Sequence, residues 1–338
     1  MTDAWRLDES EFPRGAPIAV RIRFALRYAI LAPSSHNSQP WRFKISRDTV
    51  TVIADRTRSL PVVDPYDREL TISCGAALLN LRAALAHFGM DFSIDLFPAQ
   101  AEPDVVATVR VSEGGAMDPH LARLCPAIPR RVTNRGPFNP IAVPESVCAG
   151  LIGAARAEGV ALSLVGDLSR REQVADLVAR ADRLQFGDVR FRRELASWIH
   201  PGRAGDGMPA HALGIPRLLD FETQIARMVI RTFDLGDGAA ASDAQLANGA
   251  PLLLCFSTEQ DDAPAWLFAG QALERVLLQA RLEGYDVSYL NQPIEVAELR
   301  RELGNLLDTE RFPQLLLRMG RGTAAAHTPR RTLDEVAG

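Results

Sequence analysis

Lysine is almost absent from this chain of 338 residues: 37 of its 38 basic side chains are arginine, and Lys44 is the exception. A lysine Schiff base or a P-loop lysine is thereby excluded unless Lys44 supplies it. Cysteine is scarce too. Cys74, Cys125, Cys148 and Cys255 are far apart, in apolar or small-residue settings, with no C-x-x-C. That excludes a thiol-exchange pair and a cysteine zinc site, and it points to reduced, mostly buried thiols. No run approaches the ~18 consecutive apolar residues of a membrane span. The acidic opening MTDAWRLDESEFPRG lacks the apolar core of a signal peptide. There is no basic excess: net charge is −4, which argues against a general nucleic-acid binder. These absences predict a cytoplasmic protein with no nucleic-acid and no membrane partner.

Chemical motifs are missing as well. None of the six histidines sits in a metal-binding spacing, so no metal site is expected. The G-x-S-x-G elbow, the P-loop and the G-x-G-x-x-G fingerprint are absent. A metallohydrolase, an elbow-type serine hydrolase and a Rossmann dehydrogenase all lose support.

What is present is ordinary globular material, 47% hydrophobic and 24% charged, enough for about two domains. Apolar spacing predicts a helix over 17–32, stopped by Pro33. RFKISRDTVTVIADRT reads as two strands meeting at Arg47 and Asp48. A long helix follows from Ile72 to Gly89, then two strands, DFSIDLF and VVATVRV. Past a connector at 112–128 come a helix at 144–158, the strand ALSLVG and an amphipathic helix at 169–186. Residues 187–249 read as a glycine-rich insertion, irregular but for one helical stretch at 217–233, of the kind that forms lids. PLLLCFS is a buried strand, WLFAGQALERVLLQARLEG a helix, and PQLLLRMG another strand.

One internal similarity stands out. Gly75-Ala-Ala-Leu…Gly89-Met-Asp-Phe and Gly270-Gln-Ala-Leu…Gly284-Tyr-Asp-Val share glycine spacing at an offset of 195 residues. We read a duplicated helix-centred unit; a chance likeness of two apolar helices is the alternative.

Two segments can carry chemistry. Ala32-Pro-Ser-Ser-His-Asn-Ser-Gln-Pro-Trp41 packs hydroxyls, an imidazole and carboxamides between two prolines. It can meet a polar planar ligand, or it can be a turn with ordinary Asx and Ser caps. In Arg131-Val-Thr-Asn-Arg135, an extended chain turns Arg131, Thr133 and Arg135 one way, a set suited to a phosphate dianion. Arg330 and Arg331 could join it; a solvated arginine face is the plain alternative.

Together these segments resemble the nitroreductase family of FMN flavoproteins. The match runs through A-P-S-S-x-N-x-Q-P-W, R-x-T-x-R in place of R-x-S-x-R, and the closing P-R-R-x-L-x-E-V. The T-N-R-x-P-F and D-x-R-E-L-x-I-S-C-G-A-A-L stretches are most similar to the fused, double-length Acg subfamily. The resemblance spans roughly residues 17 to 336. It implies an α+β fold of the three-layer sandwich type, duplicated in one chain as an intertwined pseudo-dimer. The halves would be 1–125 and 126–338, the second carrying the 187–249 lid. Each half keeps one motif and lacks the other, so we expect one tightly bound FMN per chain and a monomer or weak homodimer. The resemblance assigns Arg131, Thr133 and Arg135 to the phosphate, with Arg330 or Arg331 assisting. Ser34, Ser35, Asn37 and Gln39 would contact the ribityl chain and ring edge, with Leu290, Asn291 and Gln292 near flavin N5. His36 could face the substrate. No protein group is expected to be catalytic; NAD(P)H would be the transient donor, and a nitroaromatic or quinone the acceptor. The competing expectation is a lid-shielded FMN that is stored rather than turned over.

Overall fold

The computed structural model describes residues 4–114, 118–200, 205–209, 221–232 and 234–338. Helix α1 (Ile18–Ala29) follows Pro17 and turns Ile22, Ala25, Leu26 and Ala29 inward. Strands β1 (Trp41–Ser46) and β2 (Thr49–Ala54) form a hairpin whose tight turn puts Arg47 at φ 54°. Helix α2 (Arg68–His87) begins a turn earlier than its apolar pattern announces. The Asp64 carboxylate is the reason: it accepts the backbone N–H groups of Arg68 and Leu70 at 2.9 Å each, capping the polar lead. Gly89, at φ 74°, then releases the chain into β3 (Met90–Leu96) and β4 (Val105–Glu113). The sheet is antiparallel with order β1-β2-β4-β3.

After α3 (Pro119–Ala122), a 3-10 turn at Cys125–Arg130 and β5 (Phe138–Asn139), the plan repeats. Helix α4 (Glu145–Arg156) leads to β6 (Ala161–Val165), and after an insertion come β7 (Leu252–Thr258), α9 (Ala263–Leu282), β8 (Asp286–Tyr289) and β9 (Phe312–Gly322). The short α10 (Gln292–Glu295) and α11 (Ala297–Leu306) join β8 to β9, and α12 (Leu333–Val336) lies in the tail. The second sheet has order β6-β7-β9-β8, the same as the first, with β5 also on β9. All seven β7 residues are buried, because helices cover both faces of this sheet. In the first sheet the Trp41–Lys44 stretch alternates buried and exposed, leaving one face to water.

The insertion holds more regular structure than its composition predicts. It follows α5 (Leu168–Gly187) and contains α6 (Val189–Ser197), α7 (Phe221–Thr232) and α8 (Gly236–Gly249). The expected helix at 217–233 begins at Phe221; 201–204, 210–220 and 233 lie outside the described residues. Helix α8 was expected as loop because GDGAAASDAQLANG is rich in glycine. Its five alanines keep helix propensity, and its small side chains let it lie flat on α5.

The halves meet along α2 and α9, which cross at Gly75 and Gly270. An ideal Cβ on Gly75 would fall 2.2 Å from the Leu267 carbonyl oxygen; one on Gly270 would fall 1.9 Å from that of Ile72. Ile72 and Leu267 are themselves 195 positions apart, so the offset seen in the sequence is a pseudo-twofold relation in space. Strand pairing also crosses between halves. Gly338 donates to the Phe43 carbonyl at 3.1 Å and accepts from Ile45 at 3.2 Å; within the second half, Thr133 bridges Val287 on β8. Helix α2 is long and apolar enough to span a membrane on length and composition, although Thr71, Ser73, Asn80 and Arg82 interrupt its apolar residues, and 89% of the qualifying window is buried in the core. The four cysteines are free; Cys74, Cys125 and Cys255 are buried and Cys148 is half-buried.

Candidate functional site

A cavity of about 1690 Å³ opens between the halves, lined by the 33–37 loop, the 131–136 segment, residues 288–292, the 323–330 tail and the insertion. The loop is held in an uncommon conformation. His36, Asn37 and Gln39 all have positive φ, at 52°, 54° and 52°. Three non-glycine residues there mark a backbone that its surroundings must enforce, a feature that clusters at ligand sites. Ser34 enforces it directly: its carbonyl accepts Asn37 N–H at 3.0 Å and its hydroxyl accepts Gln39 N–H at 2.9 Å. Pro33 and Pro40 bracket the loop and prevent helix α1 from running on.

The 131–135 segment is extended against β8, with Asn134 N–H donating to the Val287 carbonyl at 3.1 Å. Arg131, Thr133 and Arg135 line the cavity, joined by Arg330 from the tail. Arg131 is 4% exposed and Arg330 8%. Both guanidiniums donate to the Leu31 carbonyl, at 3.1 and 3.2 Å, so the two cations share one anchor. The Nε–H groups of both lack a hydrogen-bond acceptor, as does the neighbouring Tyr289 hydroxyl. Arg135 has no hydrogen-bond or ion-pair partner among the described residues. Burial, reinforced by Arg131, pushes Arg330 down to about 9. Such crowding of buried guanidiniums is costly unless an anion is shared among them.

A buried countercharge faces Arg131. Glu274, on α9, is fully buried and its Oε1 lies 3.4 Å from Arg131 Nε. Neither of its oxygens accepts a hydrogen bond, and burial holds its carboxyl up at about 7 against the pull of Arg131. His36 is half-buried at the cavity wall; enclosure, then the nearby Arg135 charge, push its imidazole down to about 4. It is neutral at pH 7.

The structure thus brings Ser34, Ser35, His36, Asn37, Arg131, Thr133, Arg135, Leu290, Asn291, Gln292 and Arg330 to one cavity. Two candidates stand behind the wall. Gln39 is fully buried: its amide donates to Asn37 and Gly205 carbonyls and accepts Arg331 N–H at 2.8 Å. Arg331 donates to the carbonyls of Gln39 and Glu335. These two side chains are spent on fastening the loop to the tail, which corrects their expected ligand contacts. Asn37 lines the cavity but is also fully used: Nδ2 donates to Gly207 and Pro329 carbonyls, and Oδ1 accepts from Arg330 at 2.9 Å. The Ser35 hydroxyl donates to Glu69, and the Asn291 carbonyl oxygen accepts Leu316 N–H at 3.0 Å.

Several residues in or behind the wall were not anticipated. Tyr289 directly precedes a predicted trio, and Glu274 is a lone acid on an otherwise apolar helix face; both carried a usable signal. Trp5 carried none. Its indole donates to the Thr328 carbonyl and its ring underlies Arg330 at 4.7 Å, which closes the N-terminal arm over the tail. Phe186, Phe191, Leu195 and Leu246 come from the region taken as lid, or its edge.

No family model matches the chain. Among curated proteins it is 32% identical over 326 residues to "Putative NAD(P)H nitroreductase Rv3131" of Mycobacterium tuberculosis (strain ATCC 25618 / H37Rv), covering 95% of this chain and 92% of that one. It is 28% identical over 321 residues to "Putative NAD(P)H nitroreductase acg" of the same strain, covering 93% and 94%. Among solved structures it is similar to the FMN-dependent nitroreductase NfnB from Mycobacterium smegmatis in complex with NADPH. That match has 17% identity and a TM-score of 0.42, over 64% of this chain and 97% of the other. On its full-length likeness to Rv3131, this chain belongs to the NAD(P)H nitroreductase family.

Proposed function

We propose that the chain is an FMN-dependent oxidoreductase that takes electrons from NAD(P)H and passes them to an electron-poor small molecule, such as a nitroaromatic or a quinone. The observation that carries this is the convergence, in one cavity between the halves, of the 34–37 loop, the 131–135 arginines and the 288–292 segment. The residues fit the cofactor. Arg131, Arg135 and Arg330 surround a place for a phosphate dianion, with unpaired N–H groups and the free Tyr289 hydroxyl as donors. Ile72, Leu273 and Leu315 supply apolar wall for a flat ring.

FMN, when bound, supplies the hydride chemistry itself. The chain's part is to hold, orient and dehydrate. Arg131 and Arg330, anchored to Leu31, would fix the phosphate end; Ser34, Ser35 and the backbone of the strained loop border the middle. Neutral His36 offers a substrate a hydrogen bond rather than a charge. A single FMN per chain follows from asymmetry: 195 residues earlier, Glu274 and Tyr289 are matched by Leu79 and Ile94, and Leu79 is fully buried. Both halves of the interface lie in one chain, so a monomer suffices.

The test is the absorbance spectrum of the purified protein, followed anaerobically with NADPH and then NADH. A flavin band that bleaches with either donor supports the proposal. Arg131→Glu should leave a folded protein without flavin; a folded variant that stays yellow would overturn the phosphate assignment. A second reading, a shielded and stored FMN, draws on the insertion's contribution of Phe191, Leu195, Ile230 and Leu246 to the wall. A flavin band that persists with both donors would favour it.

A further inference from the structure

Two further carboxylates reach the cavity wall, Asp182 from α5 and Asp243 from α8 of the insertion. Gln292 sits beside them. Its Nε2 donates to Asp243 Oδ2 at 2.6 Å, while its Oε1 has no partner. Asp182 is 2% exposed, and its Oδ2 is buried without a hydrogen bond. The result is a patch of acceptors, two of them unsatisfied, on a ligand-sized cavity. Leaving such oxygens bare costs desolvation energy that only a donor recovers.

Among the described residues the neighbouring cations make no hydrogen bond or ion pair with either carboxylate. Arg318 donates to the Gly136 and Asn134 carbonyls and stacks 4.4 Å from the Phe138 ring centroid. Arg183 pairs with Asp237 at 3.0 Å. Arg318 and, more weakly, Arg135 act on Asp243 through space, and neither bonds to it.

We infer that Asp182 and Asp243, with Gln292 Oε1, form a subsite for an ammonium or amidinium group carried by the small-molecule substrate. Burial and the Asp243 charge push the free Asp182 carboxyl up to about 7, as expected of a pair awaiting a cation. The inference deepens the proposed function and rests on it only in calling the ligand a substrate.

The experiment compares 4-nitrobenzylammonium with the uncharged 4-nitrobenzyl alcohol, by isothermal titration calorimetry on the protein as purified. Wild type should bind the cation about tenfold or more tightly, the worth of one charge-assisted hydrogen bond. Asp182→Asn, nearly isosteric, should remove most of that preference, and the Asp182→Asn/Asp243→Asn pair all of it. Asp243→Asn alone carries the test if the Asp182 variants do not fold. Equal affinity for both probes, no binding of either, or a preference that survives the folded variants would overturn the assignment. Flavin content and bleaching by NADPH, recorded on the same preparation, report separately on the proposed function.

Discussion

The crossing of α2 and α9 can be tested by adding two atoms. Gly75→Ala and Gly270→Ala each place a methyl group inside a helix, where alanine is ordinarily better than glycine by about 0.5–1 kcal/mol. Propensity alone therefore makes both variants stabilising. The packing says the reverse. The new Cβ would stand 2.2 Å from the Leu267 oxygen in one case and 1.9 Å from the Ile72 oxygen in the other, both of them backbone atoms with no rotamer to escape into. The helices must part by about 1 Å, a gap that forfeits a quarter to a half of the dispersion along the seam. Overpacking of this kind costs about 1–3 kcal/mol and sometimes more, which outweighs the propensity gain. We expect each variant to lose about 2 kcal/mol, read as a lower urea midpoint at unchanged slope. The two methyl groups ask for the same separation, so the double variant should cost less than the sum of the singles by about 1 kcal/mol or more. Singles that are neutral or stabilising would refute the close crossing; a strictly additive double would refute the shared displacement.

Two further outcomes follow from the site. Asp182 has a folded value near 7 against an ordinary 3.8, so between about pH 4 and 7 the folded state holds a proton that the unfolded state releases. Its contribution therefore falls as pH rises through that window and stays low above it; Asp182→Asn should stabilise the protein at pH 8 by on the order of 2 kcal/mol, with the gain vanishing towards pH 4. Urea melts of both proteins at pH 8 and pH 4.5 check this, and a gain that is equal at both values rules out the titration. Asn37→Ala strips acceptors and donors from Arg330, Pro329 and Gly207 at once, so it should cost about 2–3 kcal/mol and free the tail. Limited proteolysis reads the tail; unchanged cleavage after residue 323 would show that the clip is not what holds it.

Much of the fold was legible because its patterns were local. The 195-residue repeat, the hairpin at Arg47 and the glycine ends of α2 and α9 each leave a short-range trace. The start of α2 was misplaced because the group that begins it, the Asp64 carboxylate, is a capping contact and not part of any apolar period. The helix at 236–249 was missed because glycine and alanine look alike in a loop and in a close-packed helix; only the face of α5 decides between them. Gln39 shows the limit for the site. A carboxamide between prolines can point at a ligand or at a backbone, and composition does not distinguish them. The tail, nearly 300 residues later, takes its oxygen, and the Gly205 and Asn37 carbonyls take its N–H groups.

The deepest information lay in a difference rather than a pattern. The two copies keep the same strand order and the same helix crossing, so the backbone remained twofold while the side chains diverged. Glu69, Glu274 and Tyr289, all placed in or beneath the cavity wall, are paired 195 residues away with Pro264, Leu79 and Ile94. A buried carboxylate such as Glu274 is tolerable only beside Arg131; at the mirror position Leu79 fills the space without that electrostatic cost. Loss of the polar residue at these three positions is what relaxation of one of two equivalent sites produces, since apolar packing keeps the shared fold stable in both copies. Reversing it tests the logic: Glu274→Leu copies the mirror residue, removes the partner of a buried guanidinium, and should loosen Arg131 while leaving the α2–α9 seam intact.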